Sequence, residues 1–514
     1  MNKKKYIELI LIIILGMVTS LSLPPFNYLF ISFLTFSIFF TFLVKKSYHH
    51  RNIKLFFLYG WLFGFGYFVT NLYWISISLT YDPNFKFLIP LTFFLIPSFL
   101  SIFYGVVTFF FILLKPKKIV SSLLVFSLIF GILEFVRASI LTGFPWNLIA
   151  YSFSNQLEIL SITSIFGTYG FNLFCITLFT SPSIFFLKDN RKDLGICFIL
   201  FFMIGIFYLY GSSYKDRFYN TEKKDYVFKI RAIGSNISLD RFYTNIETTS
   251  VIEDLIEISN PKSDEKTIFV WPEGILPNIS QKELIGYSSL FNKNFNENHF
   301  LLIGINNQSI QDGLKYYFNS ISIYNNELDL LDSYNKINLV PFGEFLPFEY
   351  ILSKVGLKSL TNNYQSFSSG KERNIIEIKQ NKFSVKILPL ICYEIIYSGK
   401  LFNNTNFDLI INISEDGWFG KSIGPKQHFV HSIFRAIESG KYVIRSANNG
   451  IAGIVNPLGV VEQSIEFGKS GYVDFKEGRK IQPTIFSRYG NNIFGFLILL
   501  YIFLIFSFNK IKNE

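Results

Sequence analysis

The sequence predicts a multi-span α-helical membrane domain of eight transmembrane helices, with an α/β domain inserted between helices seven and eight. Three observations lead there. Half of the 514 residues are apolar, among them 62 Phe and 29 Tyr, against 17% charged residues, a composition too greasy for an ordinary soluble protein. The apolar surplus is uneven: 6 to 212 and 489 to 508 are nearly continuous apolar runs, while 213 to 488 has the mixed composition of a water-soluble domain. Within that mixed stretch, short strand-like runs alternate with helical ones. The expected division is 1–212 for seven spans, 213–488 for the inserted domain, and 489–514 for the eighth span and its tail.

A span needs about 20 apolar residues to cross roughly 30 Å of hydrocarbon. Eight segments qualify, at 6–22, 28–44, 55–80, 88–114, 119–140, 161–187, 194–211 and 489–508. Lys3, Lys4 and Lys5 before an apolar run imitate a secretory signal, but Leu23-Pro24-Pro25-Phe26 offers no small-residue cleavage site. The first span is therefore expected to be retained. Alternate connections then divide the basic residues cleanly. One side collects Lys3 to Lys5, Lys45, Lys46, Arg51, Lys54, Lys115, Lys117, Lys118, Lys188, Arg191, Lys192, Lys510 and Lys512, whereas the short loops opposite hold little beyond Lys86 and Arg137. The positive-inside bias makes both termini cytoplasmic and sends 213–488 to the far side. Membrane orientation also explains the net charge of +11 better than a nucleic-acid footprint does, so no nucleic-acid partner is expected.

Two far-side loops, 23–26 and 142–147, are rich in Pro and aromatic residues, as an interfacial belt or a substrate guide would be. Glu134 and Arg137 stand three apart and can pair on one face of the fifth span, serving either helix packing or function.

In the inserted domain, strands are expected over 227–235, 267–271, 299–306, 317–324, 375–379, 383–391, 408–413, 441–446 and 451–455. Amphipathic helices fit 245–258, 281–292 and 425–439, the last ended by Gly440. Of the three cysteines, Cys175 and Cys197 fall in apolar spans with no acid or base beside them, as small buried hydrophobes do. No disulfide framework is available.

The plausible chemistry sits just after strands. Glu273 follows 267–270 in Trp271-Pro272-Glu273-Gly274, Lys336 follows Tyr334-Asn335, and Cys392 ends the apolar run 383–391. A thiol is only a few per cent thiolate at neutral pH, so it gains from a nearby cation or base. Lys336 can supply the charge and Glu273 can take the proton. As a thiolate attacks a carbonyl, an ammonium and backbone N–H groups after Cys392 would stabilise the oxyanion. A solitary Cys at a strand end is by itself more often a buried hydrophobe. His428 and His431, three apart on one helix, lack a third metal ligand nearby.

These same blocks carry a resemblance. Trp271-Pro272-Glu273, Tyr334-x-Lys336 and Ile391-Cys392-Tyr393-Glu394 resemble the three catalytic blocks of the nitrilase (carbon–nitrogen hydrolase) superfamily. The stretches 339–344, 416–420, 424–429 and 445–450, with Pro24-Pro25-Phe26, Gly66-Tyr67, Tyr73-Trp74, Glu134-x-x-Arg137 and 142–146, resemble its membrane-bound members, the apolipoprotein N-acyltransferases. The resemblance covers nearly the whole chain. It implies a nitrilase-like α-β-β-α sandwich for 213–488 and a location in a bacterial inner membrane with that domain facing the periplasm.

It further implies an acyltransferase working by a ping-pong exchange. Cys392 takes the sn-1 acyl chain of a phospholipid, typically phosphatidylethanolamine, as a thioester. The N-terminal α-amine of a diacylglyceryl-cysteine on an apolipoprotein then accepts it as an amide, giving a triacylated lipoprotein. Carried over by motif position, Glu273 is the general base, Lys336 the oxyanion stabiliser and Cys392 the nucleophile. Glu344 is the accessory carboxylate that orients Lys336 or its neighbours, and Tyr393, Glu394 and Trp418 are supporting residues around the site. No metal or organic cofactor is expected. Bringing an acyl chain of about 15 methylenes into water would cost about 12 kcal/mol, so such chemistry has to be held against the membrane surface.

The chain departs from the family where Glu415-Asp416 replaces the usual Asn-Asp, and in Ser235-Asn236-Ile237-Ser238, a loose version of the first block. Either Phe242 or Tyr243 supplies the aromatic expected after it. Two other classes share some of these features: a membrane-anchored amidase with water as acceptor, and a transporter or sensor with a ligand-binding domain. The latter would favour polar or broken spans near the midplane.

Overall fold

The computed structural model describes residues 3–243, 247–352, 354, 366–380, 383–401 and 405–510. Among these, eight helices are long and apolar enough to cross a membrane: Lys5–Ser22, Phe30–His49, Ile53–Thr80, Pro83–Leu114, Ile119–Arg137, Thr163–Leu187, Arg191–Asn220 and Asn492–Lys510. They agree in number and order with the expected spans. Large apolar side chains such as Phe198, Phe202, Leu209, Phe496 and Phe503 point outward, the arrangement expected where lipid, not water, is the solvent.

Local chemistry sets the ends. The third span starts at Asn52, whose side chain accepts the Leu55 N–H, and finishes as a 3-10 turn, Tyr73–Thr80. The fifth stops at Arg137 instead of continuing to 140. Leu141 (φ 56°) and Gly143 (φ 75°) reverse the chain there, and the Phe144 N–H donates back to the Arg137 carbonyl. In the sixth span Gly167 has φ 67°, and a Cβ at that position would strike the Phe486 ring. At the end remote from the inserted domain, Lys46 pairs with Glu8 at 2.7 Å and the Ile119 N–H donates to Asp189. Lys512 and Asn245, the expected start of a helix, lie outside the described residues.

The inserted domain contains strands β1 (Lys223–Ser235), β2 (Thr267–Val270), β3 (His299–Gln311), β4 (Leu314–Tyr324), β5 (Leu330–Asn335), β6 (Ile376–Gln380), β7 (Phe383–Ile391), β8 (Leu409–Glu415), β9 (Tyr442–Asn448), β10 (Ala452–Val455), β11 (Val461–Ile465) and β12 (Gly471–Arg479). Their main path runs β5-β4-β3-β2-β1-β9-β8-β7-β6. β1 and β9 pair only through Gly234 with Ala447 and Ser235 with Asn448, and the path folds back at this short junction into two facing leaves.

Alternation along the strands separates the layers. Ile268, Val270, Phe300 and Leu302 of one leaf share an interior with Ile387, Ile391, Ile411 and Ile444 of the other. The intervening Phe269, Trp271, Leu301 and Ile303 face out to the helix Thr248–Ser259 and the short helix Ser288–Asn294. On the second leaf, Leu388, Leu390, Ile410 and Val443 pack with Phe434 and Ile437 of the helix Gly424–Ser439. The result is an α-β-β-α sandwich. The second of its helical layers lies against the membrane spans.

Three strands, β5, β11 and β12, are absent from the sequence expectation. For β5 and β11 burial explains this: Val461 to Ser464 are all exposed, and Leu330 to Asp332 likewise, so neither carries an apolar face to read, whereas β12 does bury Val473 and Phe475 in alternation. The expected helix over 281–292 is a 3-10 turn, Leu284–Tyr287, followed by the helix Ser288–Asn294.

Candidate active site

Glu273, Lys336 and Cys392 arrive at one place because each follows a strand that ends at the same edge of the sandwich: β2, β5 and β7. Trp271 is fully buried and donates its indole N–H to Ser259 Oγ at 2.9 Å, anchoring the approach to Glu273, and Gly274 (φ 52°) turns the chain away. The Lys336 N–H donates to the Asn319 carbonyl of β4 at 2.9 Å. Cys392 itself sits at φ 47°, an unusual conformation for a residue with a Cβ, of the kind that clusters where a side chain must be presented sharply.

The charged cluster is tightly made. The Lys336 ammonium is 3.2 Å from Glu273 Oε1 and 2.9 Å from the Glu344 carboxylate. The Asn319 amide donates to both carboxylates at 2.7 Å. The second Glu273 oxygen accepts the Glu415 N–H at 2.9 Å, and that of Glu344 accepts the Val340 N–H at 2.8 Å. All four side chains are buried. Burial by itself would lower the Lys336 ammonium, but Glu273 and Glu344 hold it well above its ordinary value, so it stays charged. Burial, with the Glu273 charge added, pushes the Cys392 thiol well up, against the opposing pull of Lys336 and Ser414. The resting thiol is therefore neutral, and nucleophilic attack from it would need a base to take the proton.

Glu394 plays another part. One of its oxygens accepts from Tyr334 OH, the N–H groups of Ile337 and Asn338, and Arg373, and the other accepts the Ile391 N–H. It staples the Lys336 loop to the Cys392 turn. Burial opposes its charge, but Arg373 outweighs that and holds the carboxyl below its usual value.

Behind Cys392 lies a second polar cluster. Asp416, His428 and Cys392 each bring one potential metal ligand atom within 4.8 Å of the others. Asp416 already accepts Arg445 through both oxygens, at 2.9 and 2.8 Å, and Ser414 Oγ at 2.7 Å. Both His428 nitrogens face oxygens, those of Asp416 at 2.8 Å and the Cys392 carbonyl at 3.2 Å. A guanidinium already neutralising the carboxylate makes a poor setting for a dication, and the cluster braces the backbone of Cys392 through its carbonyl.

Tyr393 and Trp418 face the membrane side. Tyr393 OH donates to the Gly143 carbonyl at 2.7 Å and Tyr397 OH to that of Thr142 at 2.6 Å. Arg137, paired with Glu134, donates to the Phe144 carbonyl and so holds the same loop. Gln427 of the helix Gly424–Ser439 accepts the indole N–H groups of Trp74 (3.1 Å) and Trp146 (2.9 Å). Trp418 is half-buried, its ring 6.0 Å from that of Tyr81 at the end of the third span.

The apolipoprotein N-acyltransferase N-terminal domain model matches residues 15–181 and the carbon-nitrogen hydrolase model matches residues 283–473. The apolipoprotein N-acyltransferase of Rickettsia prowazekii (strain Madrid E) is 32% identical over 498 residues, covering 94% of each chain. The chain belongs to the apolipoprotein N-acyltransferase family. That of Rhodopseudomonas palustris is 28% identical over 513 residues, covering 96% of this chain and 94% of its own. Among solved structures, Saccharomyces cerevisiae Nit3, a nitrilase superfamily member, matches with a TM-score of 0.33 and 17% identity over 50% of this chain and 90% of that one.

Within this family member, the sequence brings out Glu273, Lys336, Glu344 and Cys392, which the fold gathers, and Arg445 only as the first residue of a family-like stretch; it does not bring out Asn319 and Arg373. Those two are ordinary polar residues by type, and only the closing of strand β4 and the 366–375 segment around the cluster reveals them. Both aromatic candidates touch Trp418, the Phe242 ring at 5.2 Å and the Tyr243 ring at 6.4 Å.

Proposed function

We propose that this protein moves an acyl chain from the sn-1 ester of a phospholipid, probe substrate phosphatidylethanolamine, to the N-terminal α-amine of diacylglyceryl-cysteine on apolipoproteins. Family membership supports the coarse statement, an N-acyltransferase of lipoproteins integrated in a membrane. The observation that carries the finer reading is the buried Glu273–Lys336–Glu344 cluster acting on the Cys392 thiol.

In the first step Glu273 takes the thiol proton as sulfur bonds to the ester carbonyl carbon, and Lys336 stabilises the oxyanion. The carbon–oxygen bond to glycerol then breaks, Glu273 returns the proton to the leaving oxygen, and a lysophospholipid departs from the thioester. In the second step the lipoprotein amine attacks that thioester. An α-amine titrates near about 7.7 to 8.0, so part of it is neutral at pH 7. Glu273 takes the proton from nitrogen, the carbon–sulfur bond breaks and the thiol is restored, leaving an amide. Metal or organic cofactors have no step in this scheme.

We assign 1–212 and 489–514 to membrane anchoring and 213–488 to catalysis, in a bacterial inner membrane with the catalytic domain facing the periplasm. Support comes from the contact of the far-side loops with that domain, through Gly143 and Gln427, and from the basic loops at the opposite end. An apolar recess of about 510 Å³ lined by Met17, Phe65, Val69, Thr70, Tyr73, Phe93 and Phe94 opens at the ends of the first, third and fourth spans nearest the domain. It suits an acyl tail that stays in the bilayer.

The test is incubation of membranes with acyl-labelled phosphatidylethanolamine and no acceptor. Wild type should acquire a hydroxylamine-sensitive label and Cys392→Ala none; equal labelling of the two would remove Cys392 as nucleophile. Adding a diacylated lipopeptide should discharge the label into an amide. Release as free fatty acid instead would favour the amidase reading.

A further inference from the structure

Two buried charges stand one shell away from the reacting groups, and no step above uses them. Arg241, in the 3-10 turn Leu239–Phe242, and Glu415, the last residue of β8, form an ion pair with side-chain exposures of 1% and 2%. The Glu415 carboxylate also accepts from Asn448 at 2.7 Å and from the Gly417 N–H at 2.8 Å. Its backbone N–H is the group that donates to Glu273 Oε2 at 2.9 Å. Arg241 in turn donates to the Ser238 carbonyl at 2.9 Å, and its guanidinium lies 4.5 Å from the Phe242 ring centre, against which Trp418 packs.

We propose that Arg241 and Glu415 act as a matched positioning pair: the salt bridge between them fixes the end of β8, so that the Glu415 N–H orients the Glu273 carboxylate and the Gly417–Phe419 turn holds Trp418 over the site. Neither side chain reaches the reacting atoms. The pair joins the loop after β1, the end of β8 and, through Tyr81 OH donating to the Gly417 carbonyl at 3.0 Å, the end of the third span.

Its energetics make it identifiable. A guanidinium and a carboxylate buried together neutralise each other, and removing one leaves the other as an uncompensated interior charge. Removing both while keeping the shape relieves that penalty. A shorter neutral side chain at 415 could still satisfy the Gly417 N–H but would leave Arg241 without its counter-charge. Glu415 and Arg241 are thus each tolerable only with the other.

This inference rests on the proposed thioester chemistry, and its test separates the two. Full-length protein in nanodiscs is given acyl-labelled phosphatidylethanolamine without acceptor, and the rate and extent of labelling are measured per folded molecule. Wild type labelled and C392A unlabelled establish the underlying reading before any pair variant is scored. R241M and E415Q should each label at least about 10-fold more slowly at saturating donor, with the half-saturating donor concentration changed by less than about 3-fold, and R241M/E415Q should return to within about 3-fold of wild type. E415Q keeps chain length and an acceptor for the Gly417 N–H, so it decides the matter if R241M does not accumulate. The pairing is overturned if the double variant is no faster than the slower single one. It is equally overturned if a single variant loses thermal stability but labels per folded molecule at the wild-type rate.

Discussion

The ammonium of Lys336 lies between two carboxyl groups, 3.2 Å from Glu273 and 2.9 Å from Glu344, so a single buried cation is shared by two buried acids. Burial pushes the Glu344 carboxyl above its ordinary value against the pull of Lys336, and the Asn319 amide and two backbone N–H groups share the load with that one ammonium. Lys336→Met should therefore do more than remove an oxyanion donor. Thioester labelling should fall by about 100- to 1000-fold or more, measured as burst amplitude and rate, while the variant still fractionates with membranes.

Glu344→Gln should be milder. The amide oxygen can still accept the Val340 N–H, but one charge-assisted contact to Lys336 is lost, worth about 10- to 100-fold in labelling rate. A loss as complete as that of Cys392→Ala would give Glu344 a direct part in the chemistry.

Gln427→Leu should weaken the joint between the two parts of the protein. It leaves the Trp146 indole N–H without its acceptor and deprives Trp74 of one of two. A cost of about 1 to 3 kcal/mol for each buried group left unsatisfied should appear as a lowered Tm in detergent. Labelling by the variant at low temperature should change much less.

Acid should loosen the turn that carries Cys392. Glu394 and Asp416 both have carboxyls held below their ordinary values in the folded protein, against burial, by Arg373 and by Arg445 with His428 respectively. Depressed folded values mean that their stabilisation is fully present above the unfolded values of about 4 and is lost as pH falls through the folded ones. Thermal stability should accordingly decline below about pH 4, and Glu394→Gln should flatten its share of that decline.

Much of this architecture was legible because it depends on patterns that survive without tertiary context. Eight apolar runs of membrane length need no partner to be recognised, and the strand leading to Glu273 is buried on both faces, as is the half of β7 that leads to Cys392. Edge strands such as β11, exposed along nearly its whole length, have no such pattern. The end of the fifth span was also hidden, since residues 138–141 continue the apolar composition and only the positive φ of Leu141 and Gly143 turns the chain. Asp416, His428 and Arg445 each stand in a stretch that resembles the family, but their meeting in one polar brace was hidden for a different reason. Its members come from the loop after β8, a helix and β9, and nothing in their spacing says that they meet.

Leu388, Leu390, Phe434 and Val443 belong to the same apolar cluster as Tyr151 and Phe171 of the membrane part. The bilayer helices thus furnish one wall of an interior that the inserted segment begins and cannot finish. Excised as a secreted fragment, residues 213–488 would turn that raw underside to water and clump. Grafted onto an unrelated anchor, the fragment would need its lower layer rewritten before it could stand.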